Sequence, residues 1–378
     1  MKLREKRLGD VVTLQRGHDL PEASRKEGPV PVVSSSGITG YHNIAKAQPP
    51  GVVTGRYGTL GEVFYIEEPY WPLNTALYAI DFHGNNPRFI SYFLKQVLRR
   101  TRSDKAAVPG VNRNDLHEIQ VRIPDADIQG KIADIAATYD HLIENNLRRI
   151  RLLEDAARLI YREWFVLFRF PGHEDTPFAD GLPEEWTRKS LRELSKSVDY
   201  GYTASASIDP VGPKFLRITD IVPDQIDWSG VPYCAIDEAH LERFSLAEGD
   251  IVVARTGATV GYAKRLHKRF PASVFASYLV RLRLGPTLDS LIAGVFVESD
   301  TYKKYVLSRV GGAAQPNANA QVLAGAEIIV PPAPIQRVFR ALTEPLFDLK
   351  EILQDQSRRA REARDILLPK LISGEVEA

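Results

Sequence analysis

Apolar and polar residues alternate around glycines in two stretches of the chain, residues 51–66 and 249–266. Such alternation is typical of short strands joined by tight turns. After Pro124, and again after Pro334, the apolar positions recur every three or four residues instead, which is typical of amphipathic helices. The pattern therefore predicts, twice along the chain, a strand-rich globule followed by a helix.

Short segments of the first half recur in the second half at one constant offset. The corresponding segments are residues 108–112 (VPGVN) and 315–319 (QPNAN), residues 121–124 and 328–331, and Gln129 and Gln336. Chance similarity of strand-and-turn patterns is the alternative explanation. Because a single offset holds through three separate segments, we infer an internal duplication.

The apolar positions of both helical stretches are spaced as in a coiled coil. Residues 129–167 contain no proline, and the second stretch shows its pattern from Leu346. A helix packed on its own domain core is the commoner explanation for one amphipathic helix, but two helices that each close a repeat favour packing against each other. The expected interface positions are Ile150, Leu153, Ile160, Trp164, Leu349, Leu353 and Leu367, with Ala157, Leu167, Gln356, Ala360 and Ala363 on the same seams.

The predicted fold class is α+β, with two pseudo-symmetric α+β domains separated by two long helices that form an antiparallel coiled coil. The first domain is expected over residues 1–128 and the first spacer helix over residues 129–170. A linker and the second domain are expected over residues 171–335, and the second spacer helix with a C-terminal tail over residues 336–378.

The composition excludes several classes of protein. The 378 residues include 49 Lys and Arg against 48 Asp and Glu, a formal net charge of +1, so any nucleic-acid contact must come from local basic patches. The single cysteine, Cys234, excludes an internal disulfide and a cysteine-clustered zinc site and fits a reducing cytoplasm. No apolar run approaches the roughly 20 residues of a membrane span, and residues 1–7 are not followed by the apolar stretch of a secretory signal. We expect a soluble cytoplasmic protein with no membrane partner.

Motifs that would indicate catalysis are missing from the sequence. It has neither a phosphate-binding loop nor a G-x-G-x-x-G loop, and its eight histidines are scattered. Residues 86–89 (NPRF) and 124–125 (PD) are similar to parts of a methyltransferase and a nuclease motif, but the accompanying residues are absent, so we interpret them as a turn and a helix entry. Cys234 is expected in the core. We expect no catalytic residue and no metal site.

Polar, aromatic and basic residues gather instead in the loops of each half. Arg and Lys bind guanine, Asn and Gln bind adenine, and Lys and Ser bind phosphate. For any one such residue, a solvated surface position is the alternative. The candidate DNA-binding residues are Ser35, Tyr41, His42, Asn43, Arg56, Tyr57, Arg100, Arg102, Tyr202, Lys214, Arg255, Lys264, Arg265 and Lys268. The neighbouring glycines are expected at turn positions with positive φ; they are Gly58, Gly61, Gly257 and Gly261.

The whole chain resembles the specificity subunits of type I restriction–modification systems. The segments that carry the resemblance are residues 35–43 (SSGITGYHN), 50–58 (PGVVTGRYG), 71–75 (WPLNT), 161–166 (YREWFV), 182–186 (LPEEW) and 367–375 (LLPKLISGE). Each segment is moderately specific alone. Their occurrence in this order, along the full length of a duplicated sequence, makes the set strongly specific.

The resemblance implies that residues 1–128 and 171–335 contain target recognition domains, each binding one half of a bipartite double-stranded DNA sequence. It implies that two modification subunits, which would bind S-adenosylmethionine, dock on this chain to form a DNA adenine methyltransferase. Two translocase–nuclease subunits would complete a restriction enzyme for prokaryotic host defence. This chain would bind no cofactor itself and would not be an enzyme. Because the family's recognition loops vary with the DNA target, the resemblance does not identify individual base contacts in this chain.

Two other functions stay open on the residues alone. The chain could be a single-chain nuclease or methyltransferase with unrecognised motifs, or a coiled-coil adaptor that binds only protein. A helix of about 30 residues spans about 45 Å at roughly 1.5 Å per residue, enough to separate two DNA-binding domains by about one turn of DNA, near 34 Å. Salt-dependent DNA binding would distinguish the DNA-binding function from the adaptor.

Overall fold

The computed structural model describes residues 2–56, 61–104, 112–223, 225–310 and 316–378. The chain forms two compact units: unit 1 comprises Met1–Asn145 and Gln356–Ala378, and unit 2 comprises Asn146–Asp355. Both boundaries fall inside a long helix, so each long helix contributes one part to each unit.

The secondary structure is mixed along the whole chain. The strands are β1 (Leu3–Arg7), β2 (Thr13–Arg16), β3 (Val30–Ser34), β4 (Gly37–His42), β5 (Gly51–Gly55), β6 (Val63–Ile66), β7 (Trp71–Pro72), β8 (Ala76–Asp81), β9 (Gln120–Pro124), β10 (Phe178–Ala179), β11 (Leu182–Pro183), β12 (Thr187–Ser190), β13 (Ser195–Tyr200), β14 (Lys214–Leu216), β15 (Ile251–Ala254), β16 (Ala263–Arg265), β17 (Ser273–Phe275), β18 (Leu279–Leu284) and β19 (Glu327–Val330). The helices are α1 (Pro87–Asp104), α2 (Arg113–His117), α3 (Ala126–Phe165), α4 (Leu191–Leu194), α5 (Ile218–Ile221), α6 (Glu238–Phe244), α7 (Ser290–Val297), α8 (Asp300–Arg309), α9 (Ala320–Ala324) and α10 (Ala333–Ser373). Within the described ranges, no helix is long and apolar enough to cross a membrane.

Unit 1 is built on an antiparallel sheet of strand order β2-β8-β5-β6. Beside it, β3 pairs antiparallel with β4 and parallel with β7. Strand β1 pairs antiparallel with β9, which leads directly into α3. The core forms where apolar residues of the sheet, such as Leu14 and Leu77, pack with Phe89 and Leu94 of α1. Burial of these side chains is the main force that holds helix and sheet together.

Unit 2 repeats the main sheet, the parallel pair and the pair that leads into the long helix, but among its described residues it has no counterpart of β4, and it adds the pair β10-β11. Its antiparallel sheet has the order β13-β18-β15-β16, β14 pairs parallel with β17, and β12 pairs antiparallel with β19 ahead of α10. The same order and the same strand directions therefore occur in both units, and the predicted α+β fold with two pseudo-symmetric domains is confirmed.

The two long helices pack antiparallel within each unit. In unit 2, Glu154 of α3 pairs with Lys350 of α10, and ten residues further along α3 the Trp164 ring meets Phe339 edge to face, with centroids 5.9 Å apart. Residue numbers rise along α3 while those of its partners fall along α10. In unit 1, Asp140 and Arg364 form the corresponding ion pair. The predicted antiparallel coiled coil is confirmed.

Most of the expected seam residues face inward. Ile150, Ala157, Trp164, Leu353 and Ala360 are buried, and Leu153, Ile160, Leu349 and Leu367 are half-buried. The expectation is wrong for Leu167, Gln356 and Ala363, which are exposed. Leu167 lies beyond the end of α3, and on α10 the inward positions are Ser357 and Arg364, one residue later than predicted. The inward positions of α10 still alternate at spacings of four and three, as in a heptad, but one of the two rows lies one residue later than predicted.

Helix α10 begins at Ala333, close to the predicted start of the second spacer helix at residue 336 and before Leu346, from which the coiled-coil spacing was predicted. It continues through Pro345, which has no N–H to donate to the carbonyl of Ala341. Both residues are exposed, so solvent can hydrogen-bond that carbonyl, and this position tolerates the proline.

Residues 86–89, interpreted from the sequence as a turn, are instead the start of α1, because Asn86 Oδ1 accepts the N–H of Phe89 at 2.9 Å and so caps this helix. Other local predictions agree with the structure. Cys234 is buried. Gly61, Gly257 and Gly261 have φ values of 92°, 77° and 84°, as turn positions require; the fourth glycine, Gly58, lies outside the described residues.

Candidate nucleic-acid interface

Arg56 and Arg255 occupy the same position in the two units. Each follows the central strand of its sheet, β5 or β15. The backbone N–H of Arg56 donates to the carbonyl of Thr75 at 3.0 Å, and that of Arg255 donates to the carbonyl of Tyr278 at 3.1 Å. Thr75 and Tyr278 each directly precede the neighbouring strand, β8 or β18. The duplication therefore places one arginine at the same corner of both sheets.

The side chain of Arg255 is fixed by aromatic and polar neighbours. Its guanidinium carbon lies 4.7 Å from the centroid of the Tyr200 ring, and one terminal nitrogen donates to Asn317 Oδ1 at 3.4 Å. The Tyr200 hydroxyl accepts the N–H of Ala320 at 2.9 Å. Arg255 Nε is buried and has no hydrogen-bond acceptor in the described part of the structure. The cluster thus holds a guanidinium, a phenol and a carboxamide together, which are groups that bind base edges and phosphates.

Aromatic surface extends this cluster. Tyr278, whose carbonyl accepts the Arg255 N–H, is 61% exposed, and Tyr200 is 42% exposed. Exposed aromatic rings next to an arginine are typical of a contact surface, since each ring buries a large area when a partner covers it. Tyr200, Tyr278 and Asn317 were not among the candidates from the sequence. The repeat contained a signal for Asn317, which lies in the segment that corresponds to residues 108–112.

In unit 1 the candidate residues near residue 40 belong to the hairpin of β3 and β4. Ser35 lies half-buried in its two-residue turn, and Tyr41 on β4 is 56% exposed. Asn43, directly after β4, is exposed. Tyr41 and Asn43 are therefore available to a partner.

His42 and Lys214, by contrast, point into their units. His42 Nδ1 accepts the N–H of Lys26 at 3.0 Å, and the residue is 5% exposed. Lys214 Nζ donates to the carbonyl of Val231 at 2.6 Å and lies 3.9 Å from the centroid of the Tyr233 ring. Both side chains are committed to internal contacts, so the expectation that they face DNA does not fit their placement.

The basic run at residues 264–269 is largely paired with carboxylates, although Lys268 and Arg269 are exposed. Lys264 pairs with Glu298 at 3.2 Å, and Lys268 pairs with Glu344 at 2.9 Å. The hydrogen bond that Lys268 donates to the Glu344 carboxylate raises the pKa of Lys268. Arg265 is largely enclosed, and burial lowers its pKa. These cations neutralise carboxylates of unit 2, so the run is not the open basic patch that the sequence indicates.

The other candidates lie in varied surroundings. Tyr202 is half-buried, and its ring packs 5.4 Å from His240 and 5.3 Å from Phe244. Arg100 and Arg102 belong to α1, but their side chains lie outside the described part of the chain, and Tyr57 lies outside the described residues altogether. Within the described ranges, no three His, Cys, Asp or Glu side chains are grouped so that they could hold a metal ion.

Comparison with known proteins relates the chain to one family. Residues 2–155 match the model of the Type I restriction modification DNA specificity domain. The type I restriction enzyme MjaIX specificity subunit of Methanocaldococcus jannaschii is 24% identical over 307 residues, which cover 76% of this chain and 66% of that protein. The HindI specificity subunit of Haemophilus influenzae is 22% identical over 338 residues, covering 72% of each chain.

A solved structure shares the fold over nearly the whole length. The S subunit of a type I restriction–modification system from M. genitalium superposes with a TM-score of 0.62 and 13% identity, covering 98% of this chain and 96% of that one. Sequence similarity and shared fold lead to the same family, and they confirm the resemblance carried by the sequence segments. The chain is thus similar to the specificity subunits of type I restriction–modification systems, in the sequence of residues 2–155 and in its fold.

Proposed function

We propose that this chain is a non-catalytic subunit that binds a bipartite double-stranded DNA target, one half with each unit. The observation that carries the proposal is the equivalent placement of Arg56 and Arg255 at the same sheet corner of two units with the same main-sheet topology. In this assignment residues 1–128 and 171–335 contain the target recognition domains, and residues 129–170 and 336–378 are the spacer helices.

The side chains near the two arginines differ, although the backbone frame is shared. Arg255 is accompanied by Tyr200 and Asn317, whereas unit 1 presents Tyr41 and Asn43 on its hairpin. Different donors and acceptors on one frame would select different bases in each half-site. A good bidentate contact contributes about 1–3 kcal/mol of discrimination. Joining two binding domains makes the second contact intramolecular, which raises affinity and requires both half-sites.

An exposed apolar stripe at the end of α3 supports a scaffolding role in unit 2. Leu152 and Leu159 of α3, and Val166 directly after its last residue, follow one another at intervals of seven residues and are 60%, 56% and 57% exposed. Apolar residues at heptad spacing form the seam against another helix, and exposed apolar residues in such a row mark a protein contact. We assign this stripe to a helix of the modification subunits.

In this proposal the partner subunits catalyse the reactions. Two modification subunits would bind S-adenosylmethionine and methylate adenine, and two translocase–nuclease subunits would add restriction. The complex would act in the prokaryotic cytoplasm in host defence. This chain contributes binding and positioning of the DNA.

The test is methylation-site sequencing of complexes reconstituted from the modification subunits and variants of this chain. Arg56→Ala should relax specificity in one half-site and Arg255→Ala in the other, each by about tenfold for one lost bidentate contact. Arg113→Ala and Arg192→Ala remove exposed arginines from the same units and serve as controls. Unchanged sequence preference in both Arg56→Ala and Arg255→Ala would contradict the assignment.

Two further measurements separate the proposal from the other functions. The purified chain alone should neither methylate nor cleave DNA, and either activity would identify it as an enzyme. The reconstituted complex should lose DNA affinity as salt rises, because phosphate contacts release counterions. A protein-only adaptor would show no such dependence.

A further inference from the structure

Unit 1 contains a cavity of about 230 Å³, lined by both charged and apolar residues, that the proposed function does not use. It lies between α1, β6 and the parts of α3 and α10 that belong to this unit. The charged residues that line it are Arg88, Lys95, Arg99, Arg364, Asp140 and Asp365. Cations therefore outnumber carboxylates along its wall.

The two carboxylates are already engaged. Asp140 accepts from Arg364 and from the Tyr92 hydroxyl, and Asp365 accepts from the same arginine at 2.8 Å. Because the two carboxylates share one guanidinium, these three groups together carry a net charge of −1. The three cations that α1 contributes to the wall therefore exceed it.

The cations of α1 have partners that a ligand can replace. Lys95 pairs with Glu62 at 3.1 Å and Arg88 with Glu67 at 3.5 Å, and the two glutamate side chains are 45% and 69% exposed. Ion pairs open to solvent contribute only about 0–1 kcal/mol. Arg99 is exposed at the same face of the helix, since residues three, four or seven apart share one face.

A buried donor without a partner also lines this cavity. Gln96 Nε2 is shielded from solvent and has no hydrogen-bond acceptor in the described part of the structure. A buried N–H without an acceptor is costly, and native proteins rarely leave one unpaired. An oxygen atom of a ligand would satisfy it.

We propose that this cavity binds a phosphate group. The guanidinium, ammonium and carboxamide N–H groups along the wall are hydrogen-bond donors, and charge-assisted bonds from such donors are strongest to oxyanions. The volume is below the roughly 300–1,000 Å³ of pockets for drug-sized ligands, so the bound group is small. A free phosphate and a phosphate of a nucleic-acid backbone offer the same chemistry.

Calorimetric titration of the full chain with inorganic phosphate at constant ionic strength tests the proposal. The wild type should bind phosphate saturably and should not respond to chloride. Gln96→Glu should abolish binding, because it replaces the donor with a negative charge. Arg99→Ala, at an exposed position, should weaken binding about tenfold through one lost charge-assisted bond, and Arg113→Ala should bind as the wild type does.

Circular dichroism and thermal unfolding of each variant establish that it is folded, and Arg99→Ala keeps the test valid if Gln96→Glu does not fold. Absence of saturable binding to the wild type, or equal binding by wild type, Arg99→Ala and folded Gln96→Glu, would overturn the proposal.

Fluorescence anisotropy with a random-sequence duplex in phosphate-free buffer identifies the source of the phosphate. If the cavity holds a backbone phosphate, Arg99→Ala weakens duplex binding and inorganic phosphate competes with the duplex. If it holds free phosphate, duplex binding is unchanged while the variant loses affinity for inorganic phosphate. Both results support a phosphate site, and the proposed recognition of half-sites by Arg56 and Arg255 is tested separately by methylation-site sequencing.

Discussion

Gln129 and Gln336 connect the first turns of the two long helices to their units through matching hydrogen bonds. Gln129 Nε2 donates to the carbonyl of Pro124 at 2.9 Å, and its Oε1 accepts the N–H of Asn86 at 2.9 Å. One side chain thus joins the end of β9, the cap of α1 and the start of α3.

Gln336 makes the same connections in unit 2. Its Nε2 donates to the carbonyl of Pro331 at 2.8 Å, and its Oε1 accepts the N–H of Asp289 at 2.8 Å. Asp289 caps α7 as Asn86 caps α1. A paired set of side-chain contacts, and not only a similar strand order, therefore survives in both copies of the duplication.

Removing either glutamine should destabilise the protein, and Gln129 should matter more. Gln129 is 1% exposed and Gln336 is half-buried, so only Gln129→Ala leaves its partners without access to water. We expect a loss of about 3 kcal/mol in the free energy of unfolding for Gln129→Ala and about 1.5 kcal/mol for Gln336→Ala. Chemical denaturation measures both, with the exposed Gln48→Ala as control. Equal effects in all three would contradict the role of burial.

The sequence predicts the features that depend on local chemistry. The constant offset identified Gln129 with Gln336, and it paired Asn112 with Asn319, which cap α2 and α9 through their side chains. Caps, turns and strand alternation are determined by neighbouring residues, so the order of amino acids is enough to recognise them.

Features that depend on distant partners could not be predicted. The basic run at residues 264–269 has the same sequence whether it faces solvent or carboxylates, and its partners Glu298 and Glu344 are far along the chain. The inward position of Arg364 depends on its pairing with Asp140 of the other helix. Tyr200 and Tyr278 also meet Arg255 only through the fold.

Glycine is required at one equivalent position in each unit. A Cβ at Gly17 would lie 2.2 Å from the carbonyl oxygen of Leu73, and a Cβ at Gly201 would lie 2.2 Å from that of Ala276. The backbone must move to accept either methyl group, so Gly17→Ala and Gly201→Ala should each lower the free energy of unfolding by about 3 kcal/mol.

Gly130→Ala is the control. It lies in α3 with nothing within 4 Å of the added Cβ, and should raise the free energy of unfolding by up to about 1 kcal/mol. Thermal unfolding of the three variants measures the contrast, and a stable Gly17→Ala or Gly201→Ala would be inconsistent with these close approaches.

Breaking the ion pair between the long helices of unit 2 should be costly. Lys350 Nζ lies 2.5 Å from Glu154 Oε1, and both side chains are 15% exposed. Lys350→Met leaves the largely buried carboxylate of Glu154 with the longer contact to Arg158, at 3.7 Å. It should lower the free energy of unfolding by about 3 kcal/mol, whereas the double change with Glu154→Leu should recover most of it. A double-mutant cycle gives the coupling energy.

The pair of Arg122 and Glu5 serves as the control, because its side chains are 70% and 71% exposed. Its coupling energy should be below about 1 kcal/mol. Similar coupling energies in both pairs would mean that burial does not determine the effect.

Acid should destabilise unit 1 partly through His117. Its Nε2 accepts the N–H of Leu14 at 3.0 Å, which requires the unprotonated nitrogen, and burial, assisted by the charge of Arg113, lowers the pKa of His117 below 6.5. The unfolded chain therefore takes up the proton at higher pH than the folded chain. The contribution to stability is complete above the unfolded pKa and is lost as pH falls through it toward the lower folded pKa.

His117→Gln keeps an acceptor for Leu14 but cannot be protonated. Its thermal midpoint should fall less than that of the wild type between about pH 7.5 and pH 5.5, the range in which histidine titrates. His141→Gln, at an exposed position on α3, should retain the wild-type slope. His267, whose pKa burial also lowers, is present in all three proteins and cancels in the difference. Parallel pH profiles for His117→Gln and the wild type would show that the Leu14 contact does not depend on the proton.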